Sequence, residues 1–188
     1  PTFIIQDILR QTVVEHCKNK TDKEILSSSF ADIACGSGAF LLETYQLLQD
    51  TLVDFYLLND HKRLIQTAIN TFKLPFAIKR KVLESCIFGI DKDYNAVQAC
   101  KFGNSLIETT ETNKKNQNEI NPFDFGKTRF DVVVGNPPYL ATEHMKEFTP
   151  LELPIYKSKF NSSYKQFDKY FLFIERSLEL LKEGGYFG

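Results

Sequence analysis

The chain has 188 residues, room for one domain and little more. Hydrophobic residues make up 43% and aromatic ones 13%, which supplies a full core and excludes a disordered chain. With 23 Lys and Arg against 24 Asp and Glu the net charge is −1, so the chain as a whole carries no basic footprint for nucleic acid.

No apolar run is long enough to cross a bilayer and no secretory leader opens the chain, so a cytoplasmic protein without membrane contact is expected. Cys17, Cys35, Cys86 and Cys100 stand far apart with no C-x-x-C pair, and His16, His61 and His144 are scattered. That pattern predicts neither a metal site nor a disulfide framework. The chain opens at Pro1 and stops at Gly184-Gly185-Tyr186-Phe187-Gly188, where an apolar run begins; a fragment of a longer protein is expected.

In chain order, residues 2–17 carry apolar side chains at helical spacing behind Pro1 and predict an amphipathic helix. Residues 21–29 are polar and read as a loop or helix end. Residues 30–35 form a short apolar run ending at Gly36, a buried strand. A helix begins near Gly38 and continues through Leu41, Tyr45, Leu48, Leu52 and Phe55. Residues 59–85 predict one or two more helices broken at Pro75, so that 44–85 reads as a helical insertion. Residues 86–90 are the next strand, ending at Asp91, with Asp93 or Asn95 capping a helix that includes Leu106. Residues 109–118 read as an exposed loop and 123–125 as a short strand or turn.

Residues 130–134, Phe-Asp-Val-Val-Val before Gly135, give the strongest strand pattern. An irregular stretch follows, then a helix over 167–181, a terminator over 182–185 and a final strand from Tyr186. Strands alternating with helices predict an α/β doubly wound, mostly parallel sheet. Such sheets bind ligands at the carboxyl ends of their strands. Here those ends are Ala34 to Phe40, Ile90 to Asp93 and Gly135 to Tyr139.

Gly36-Ser37-Gly38 is a glycine turn between a strand and a helix, suited to close backbone approach and to an anion at the helix start. Leu41 stands where a dinucleotide fingerprint needs its third glycine, and no Gly-Lys-Ser/Thr follows. Nicotinamide and nucleoside triphosphate weaken as ligands; an ordinary tight turn is the plain alternative. Asp91 ends the second strand, where a carboxylate can accept both hydroxyls of a ribose or cap the next helix.

Asn136-Pro137-Pro138-Tyr139 is the most specific feature. Neither proline can donate to a ladder, so the strand must stop and leave a rigid platform. A carboxamide oxygen and a neighbouring carbonyl can accept both hydrogens of a planar amine, moving its nitrogen toward a tetrahedral nucleophile. Tyr139 can stack on the ring bearing that amine.

Three segments together carry a resemblance. Asp32-Ile33-Ala34-Cys35-Gly36-Ser37-Gly38-Ala39-Phe40-Leu41, Gly89-Ile90-Asp91-Lys92-Asp93 and Phe130 through Tyr139 are similar to the amino-methyltransferases of bacterial restriction–modification systems. More narrowly they resemble the adenine-N6 DNA methyltransferases and the combined restriction–methylation enzymes, in the gamma motif order. Asp168 through Gly185 resembles the late helix and strand of that group, and Pro1 through Ile5 its N-terminal cofactor motif.

The resemblance implies a Rossmann-like methyltransferase domain spanning 1–188, with S-adenosylmethionine as cofactor. Its methionine end is expected over Ala34, Cys35, Gly36 and Gly38, closed by Thr2 and Phe3 and oriented by Asp32. Asp91 is expected on the ribose, with Ile90 or Lys92 beside the adenine ring and Asp124 and Phe125 at its amine. Asn104-Ser105-Leu106 also resembles the motif found at that last position. Asn136, Pro137, Pro138 and Tyr139 would receive an adenine flipped out of double-stranded DNA, with positioning in place of a general base.

Too few residues separate Asp91 from Asn136 for a target-recognition domain, which is expected after Gly188. Lys157, Lys159, Lys165 and Lys169, with Tyr156 and Tyr164 among them, are either phosphate contacts or a solvated loop. The same Asn-Pro-Pro-Tyr chemistry leaves protein glutamine-N5, RNA guanine-N2 and DNA cytosine-N4 transfer as alternatives. A cofactor-binding fragment without turnover is the alternative outside catalysis.

Overall fold

A computed structural model describes residues 2–103 and 128–188. Helix α1 (Thr2–Leu9) runs through a π-helical turn (Arg10–Val14) into α2 (Glu15–Cys17), and α3 (Asp22–Ile25) precedes β1 (Phe30–Asp32). Then come α4 (Ala39–Asn59), a 3-10 turn (His61–Arg63), strands β2 (Ile65–Ala68) and β3 (Thr71–Lys73), α5 (Phe76–Cys86), β4 (Ile87–Gly89) and α6 (Tyr94–Gly103). After the residues not described, β5 (Phe130–Val133), α7 (Thr142–Phe148), α8 (Glu152–Lys159), α9 (Lys169–Leu180) and β6 (Leu181–Phe187) complete the chain.

The main sheet has the order β4-β1-β5-β6 with every neighbouring pair parallel. The fold is an α/β doubly wound, Rossmann-like sheet. From β1 the chain crosses to β4 on one side, then returns past β1 to β5 on the other. That reversal opens a crevice at the carboxyl ends of β1 and β5.

Alternation along the strands sorts the core. Phe30, Val132 and Val134 join Leu48, Leu52, Val82 and the inner face of α1 in the main cluster. Ala31 and Val133 face the other way against Leu180 of α9. At the opposite, amino end of the sheet Asp131 accepts the Ser29 N–H and hydroxyl, each at 2.8 Å, and Lys182 Nζ at 2.7 Å. One carboxylate thereby ties β1, β5 and β6 in register.

Several elements depart from the sequence pattern. Residues 21–29 hold α3, started by a capping box in which Thr21 accepts the Glu24 N–H and Glu24 accepts the Thr21 N–H. Helix α4 runs unbroken for 21 residues through residue 44. Beyond it the segment 59–85 includes a β-hairpin where helix was expected, turning at Asn70 with φ 57°, a left-handed conformation that Asn tolerates. Pro75 stands at the start of α5. The stretch after Tyr139 contains α7 and α8, and the expected terminator at 182–185 is already strand β6.

Among the described residues no helix is long and apolar enough to cross a membrane.

Candidate active site

Strand β1 stops at Asp32 because the chain turns sharply there. The Cys35 N–H reaches the Ile90 carbonyl at 2.9 Å, and the Ile90 N–H reaches the Asp32 carbonyl at 2.9 Å, coupling the first two loops. The Gly38 N–H closes the turn on the Cys35 carbonyl at 2.7 Å, and the Gly38 carbonyl accepts the Leu42 N–H of α4 at 2.8 Å. Gly36 and Gly38 adopt φ values of 50° and 91°, in the left-handed region. The two glycines face different surroundings. Among the described residues a Cβ on Gly36 would meet nothing within 4 Å, whereas one on Gly38 would strike the Cys100 side chain.

Asp91 fastens the glycine turn. Its Oδ2 accepts the Gly36 N–H at 2.9 Å and its Oδ1 accepts the Asp93 N–H at 2.9 Å. Asp93 in turn caps α6, accepting the Asn95 N–H at 2.9 Å. A carboxylate offers about four acceptor positions, so Asp91 keeps capacity for hydroxyl donors.

Asp32 is only 2% exposed, and its Oδ1 accepts the Ala34 N–H at 2.9 Å. Burial pushes its carboxyl up to about 7; the Ala34 N–H pulls it down by less, and Asp91 adds a push upward. Gly135 makes room for this group, since a Cβ there would lie 2.6 Å from Asp32 Oδ1.

A pH dependence follows. The folded value lies above that of an unfolded carboxyl, about 4, so the folded chain holds the extra proton. This contribution is complete below about pH 4 and is lost as pH rises through about 7. Asp32→Asn should gain melting temperature relative to the parent as pH climbs through that window. A constant difference in melting temperature would contradict the assignment.

The third loop leaves β5 through Gly135. Asn136, Pro138 and Tyr139 are exposed and Pro137 is half-buried. Among the described residues nothing hydrogen-bonds to the Asn136 carboxamide. The Tyr139 ring is 69% exposed and lies 5.5 Å from the Tyr170 ring, centroid to centroid. A cavity of about 590 Å³ joins this loop to the other two: Ala34, Asp91 and Lys92 line it together with Asn136, Pro138 and Tyr139. That is the size of a small-molecule site.

Other expected residues fall elsewhere. Thr2 and Phe3 are exposed on α1, with Phe3 at 70%, and line neither this cavity nor the smaller one beside Asp32 and Pro137. Asp124, Phe125 and Asn104 through Leu106 lie outside the described residues. Lys169 and Tyr156, which the sequence groups with Lys157, Lys159 and Lys165 as phosphate contacts or a solvated loop, are instead buried in the cavity wall, while those three lysines are exposed. Apolar packing of α8 on α9 draws Tyr156 inward beside Phe160, Phe167 and Leu172.

The cavity wall supplied by α8 and α9 does not follow from the motifs: Glu152, Ile155, Leu172 and Phe173 line it. A signal is present in the spacing, because Lys169 shares a helical face with Leu172 and Phe173, and Glu152 stands one turn before Tyr156.

Comparison with known proteins agrees with this architecture. The model of the Eco57I restriction-modification methylase family matches residues 85–188. The chain is 53% identical along its whole length to the type II restriction enzyme and methyltransferase RM.Eco57I of Escherichia coli, of which it spans 22%. Over 60 residues, 32% of the chain, it is 47% identical to the type II methyltransferase M.PaeR7I of Pseudomonas aeruginosa, covering 10% of that protein. A solved structure assigned to the class I S-adenosylmethionine-dependent methyltransferases, from Listeria monocytogenes, superposes with a TM-score of 0.52 at 17% identity. It covers 99% of this chain and 43% of its own, and speaks to the fold. The chain belongs to the Eco57I restriction-modification methylase family.

Proposed function

We propose that this chain is the methyltransferase catalytic region of a longer restriction–modification protein and that it methylates adenine N6 in double-stranded DNA, with S-adenosylmethionine as cofactor. The observation carrying the reading is one cavity lined by Ala34, which leads into the glycine turn, by Asp91 and by Asn136. A nucleoside-binding carboxylate and an amine-accepting amide open on one space.

The residues present fit the cofactor. The open space above Gly36 leaves room at the turn, and Asp91 stands where ribose hydroxyls can be accepted. Ala34, Cys35, Gly36 and Gly38 would hold the methionine end, Asp32 would orient that turn, and Lys92 would flank the adenine ring. When bound, S-adenosylmethionine supplies an electrophilic methyl group on a sulfonium.

The chain's own part is positioning and polarisation. Asn136 Oδ1 and the Pro137 carbonyl accept the two hydrogens of the exocyclic amine, exposing its lone pair. Pro137 and Pro138 keep those acceptors rigid, and Tyr139 stacks on the base presented out of the duplex. A base seated on the platform would shield these acceptors from water, and shielded acceptors count for more than those in solution.

The test is transfer of a tritiated methyl group by the full-length protein offered DNA, RNA and a glutamine-bearing protein side by side, followed by nucleoside analysis. N6-methyladenine in DNA is expected. Label in N4-methylcytosine, N2-methylguanine or the protein would replace this reading. For the cofactor, Asp91→Ala should cost about 1–3 kcal/mol of affinity by calorimetry, the loss of buried hydrogen-bond partners. Equal affinity in the variant would remove Asp91 from the site.

A further inference from the structure

The cavity that the Asn136 loop lines also holds a buried cation in its wall. Lys169, in the first turn of α9, is 6% exposed and is the only buried Lys or Arg among the described residues. Its Nζ lies 2.6 Å from Glu152 Oε2 and 5.2 Å from the centre of the Tyr156 ring. The same Glu152 oxygen accepts the Tyr156 hydroxyl at 2.7 Å, and Lys92 Nζ stands 3.8 Å from Oε1. Burial raises the Glu152 carboxyl, yet Lys169 and Tyr156 together outweigh it and hold the group below its ordinary value, as a carboxylate.

The fold has little use for this arrangement. A positive charge in the first turn of a helix opposes the helix dipole. A well-packed apolar side chain would generally hold two helices together at no greater cost than a buried ion pair. Lys169 is also fixed relative to the catalytic loop. Its backbone N–H bonds the Leu140 carbonyl at 2.9 Å, and Asp168 accepts the Leu140 N–H at 3.0 Å. Leu140 directly follows Tyr139, so the ammonium and the Asn136 platform are held on one framework. Among the described residues Glu152 is the sole hydrogen-bond acceptor of Lys169, and an ammonium has three hydrogens to give.

We infer that Lys169, held by Glu152, is a specificity-determining residue that donates a hydrogen bond to a ring nitrogen of the target base while Asn136 accepts from its exocyclic amine. The inference rests on the adenine reading above and deepens it. An acceptor for an amine set beside a donor for an unprotonated ring nitrogen suits the edges of adenine and cytosine. It repels thymine, which has no amine, and the O6/N1–H edge of guanine, where carbonyl and ring N–H exchange the pattern, while the N2/N3 edge of guanine is told apart by the nucleoside analysis above. Glu152 also tempers the charge. An unpartnered ammonium near the ring would withdraw electrons from the amine, and the carboxylate offsets that pull.

The experiment uses the full-length protein and an oligonucleotide carrying its site, located by modified-base sequencing of DNA from expressing cells. The target adenine is replaced in turn by 1-deaza-, 3-deaza- and 7-deazaadenine. The parent enzyme is expected to lose about tenfold or more in kcat/KM on one analogue, as for a charge-assisted hydrogen bond. Lys169→Met should show a similar loss on ordinary adenine and no further loss on that analogue. A merely structural ion pair predicts the opposite, a variant slowed equally on every substrate with the parent's analogue penalty intact, and that result overturns the inference.

Should Lys169→Met fail to fold by circular dichroism, Glu152→Gln decides. It should keep the analogue penalty and lower kcat several-fold without raising KM for DNA, whereas unchanged kcat and KM overturn the assignment. The absence of any analogue penalty in the parent overturns it while leaving the adenine reading intact. No transfer to the unmodified oligonucleotide removes both.

Discussion

Asn136→Ala is expected to lower kcat for methyl transfer by about 10²–10³-fold or more, with cofactor affinity and melting temperature nearly unchanged. The size follows from removing one of the two acceptors of the reacting amine in a site that a bound base would close to water. The stability expectation comes from the side chain itself. Asn136 is exposed and its carboxamide bonds to none of the described residues, so truncation strands no partner. Asn136→Asp should retain more activity than Asn136→Ala, because a carboxylate still accepts hydrogens from an amine. Rates on the site-bearing oligonucleotide, set beside calorimetry with the cofactor, separate this role from a folding role. Full activity in the alanine variant would refute the amine-accepting assignment.

The site loops are legible in the sequence because each is written in a local rule. A strand must stop before two prolines, a glycine pair must turn a strand into a helix, and an aspartate past a strand end must face the crevice. Those rules depend on a few neighbouring residues, and the fold brings the three loops to one cavity. Strands β1, β4 and β5 are likewise readable as short apolar runs, though each is shorter than its pattern at one or both ends, whereas β6 starts five residues before its pattern. Asp32 ends β1 early because its side chain is committed to Ala34 and its carbonyl to Ile90.

What the sequence hides depends on tertiary packing. Ile65 through Lys73 is half polar, and its place between helices suggests helix, yet the β-branched residues and Asn70 favour the hairpin. Helices α7 and α8 are short and Pro150 and Pro154 interrupt this stretch, so neither shows a helical stripe alone. They are held by a small core of Met145, Tyr156, Phe160, Phe167 and Leu172 that draws on three elements. Charge groups Lys169 with its neighbours, while helix position sets its burial. Sequence spacing identifies residue types, but the partner that makes a buried charge tolerable is found seventeen positions away at Glu152.

The second large effect is expected at Gly38, and contrast with Gly36 makes it diagnostic. Both glycines have positive φ, so alanine at either position incurs left-handed strain of about 1–2 kcal/mol. At Gly38 the added carbon also strikes the Cys100 side chain, with Cys100 Cβ at 3.2 Å and Cα at 3.6 Å, so α6 must shift. Overpacking of this kind typically adds about 1–3 kcal/mol. Gly38→Ala should therefore lower stability by about 2–5 kcal/mol and move the Cys35–Gly38 turn with it. Adding Cys100→Ala removes the Sγ contact but keeps Cβ, so it should recover most of the steric share and leave the backbone strain, a coupling that a double-mutant cycle in denaturant measures. Gly36→Ala meets no side chain within 4 Å among the described residues, so its stability loss should stay near the strain alone, while its methyl intrudes on the space proposed for the cofactor. Loss of cofactor binding without unfolding is thus expected at 36, and unfolding with a rescue at 100 is expected at 38. Equal stability losses for the two glycine variants, with no rescue from Cys100→Ala, would show that the contact between the turn and α6 does not govern the fold.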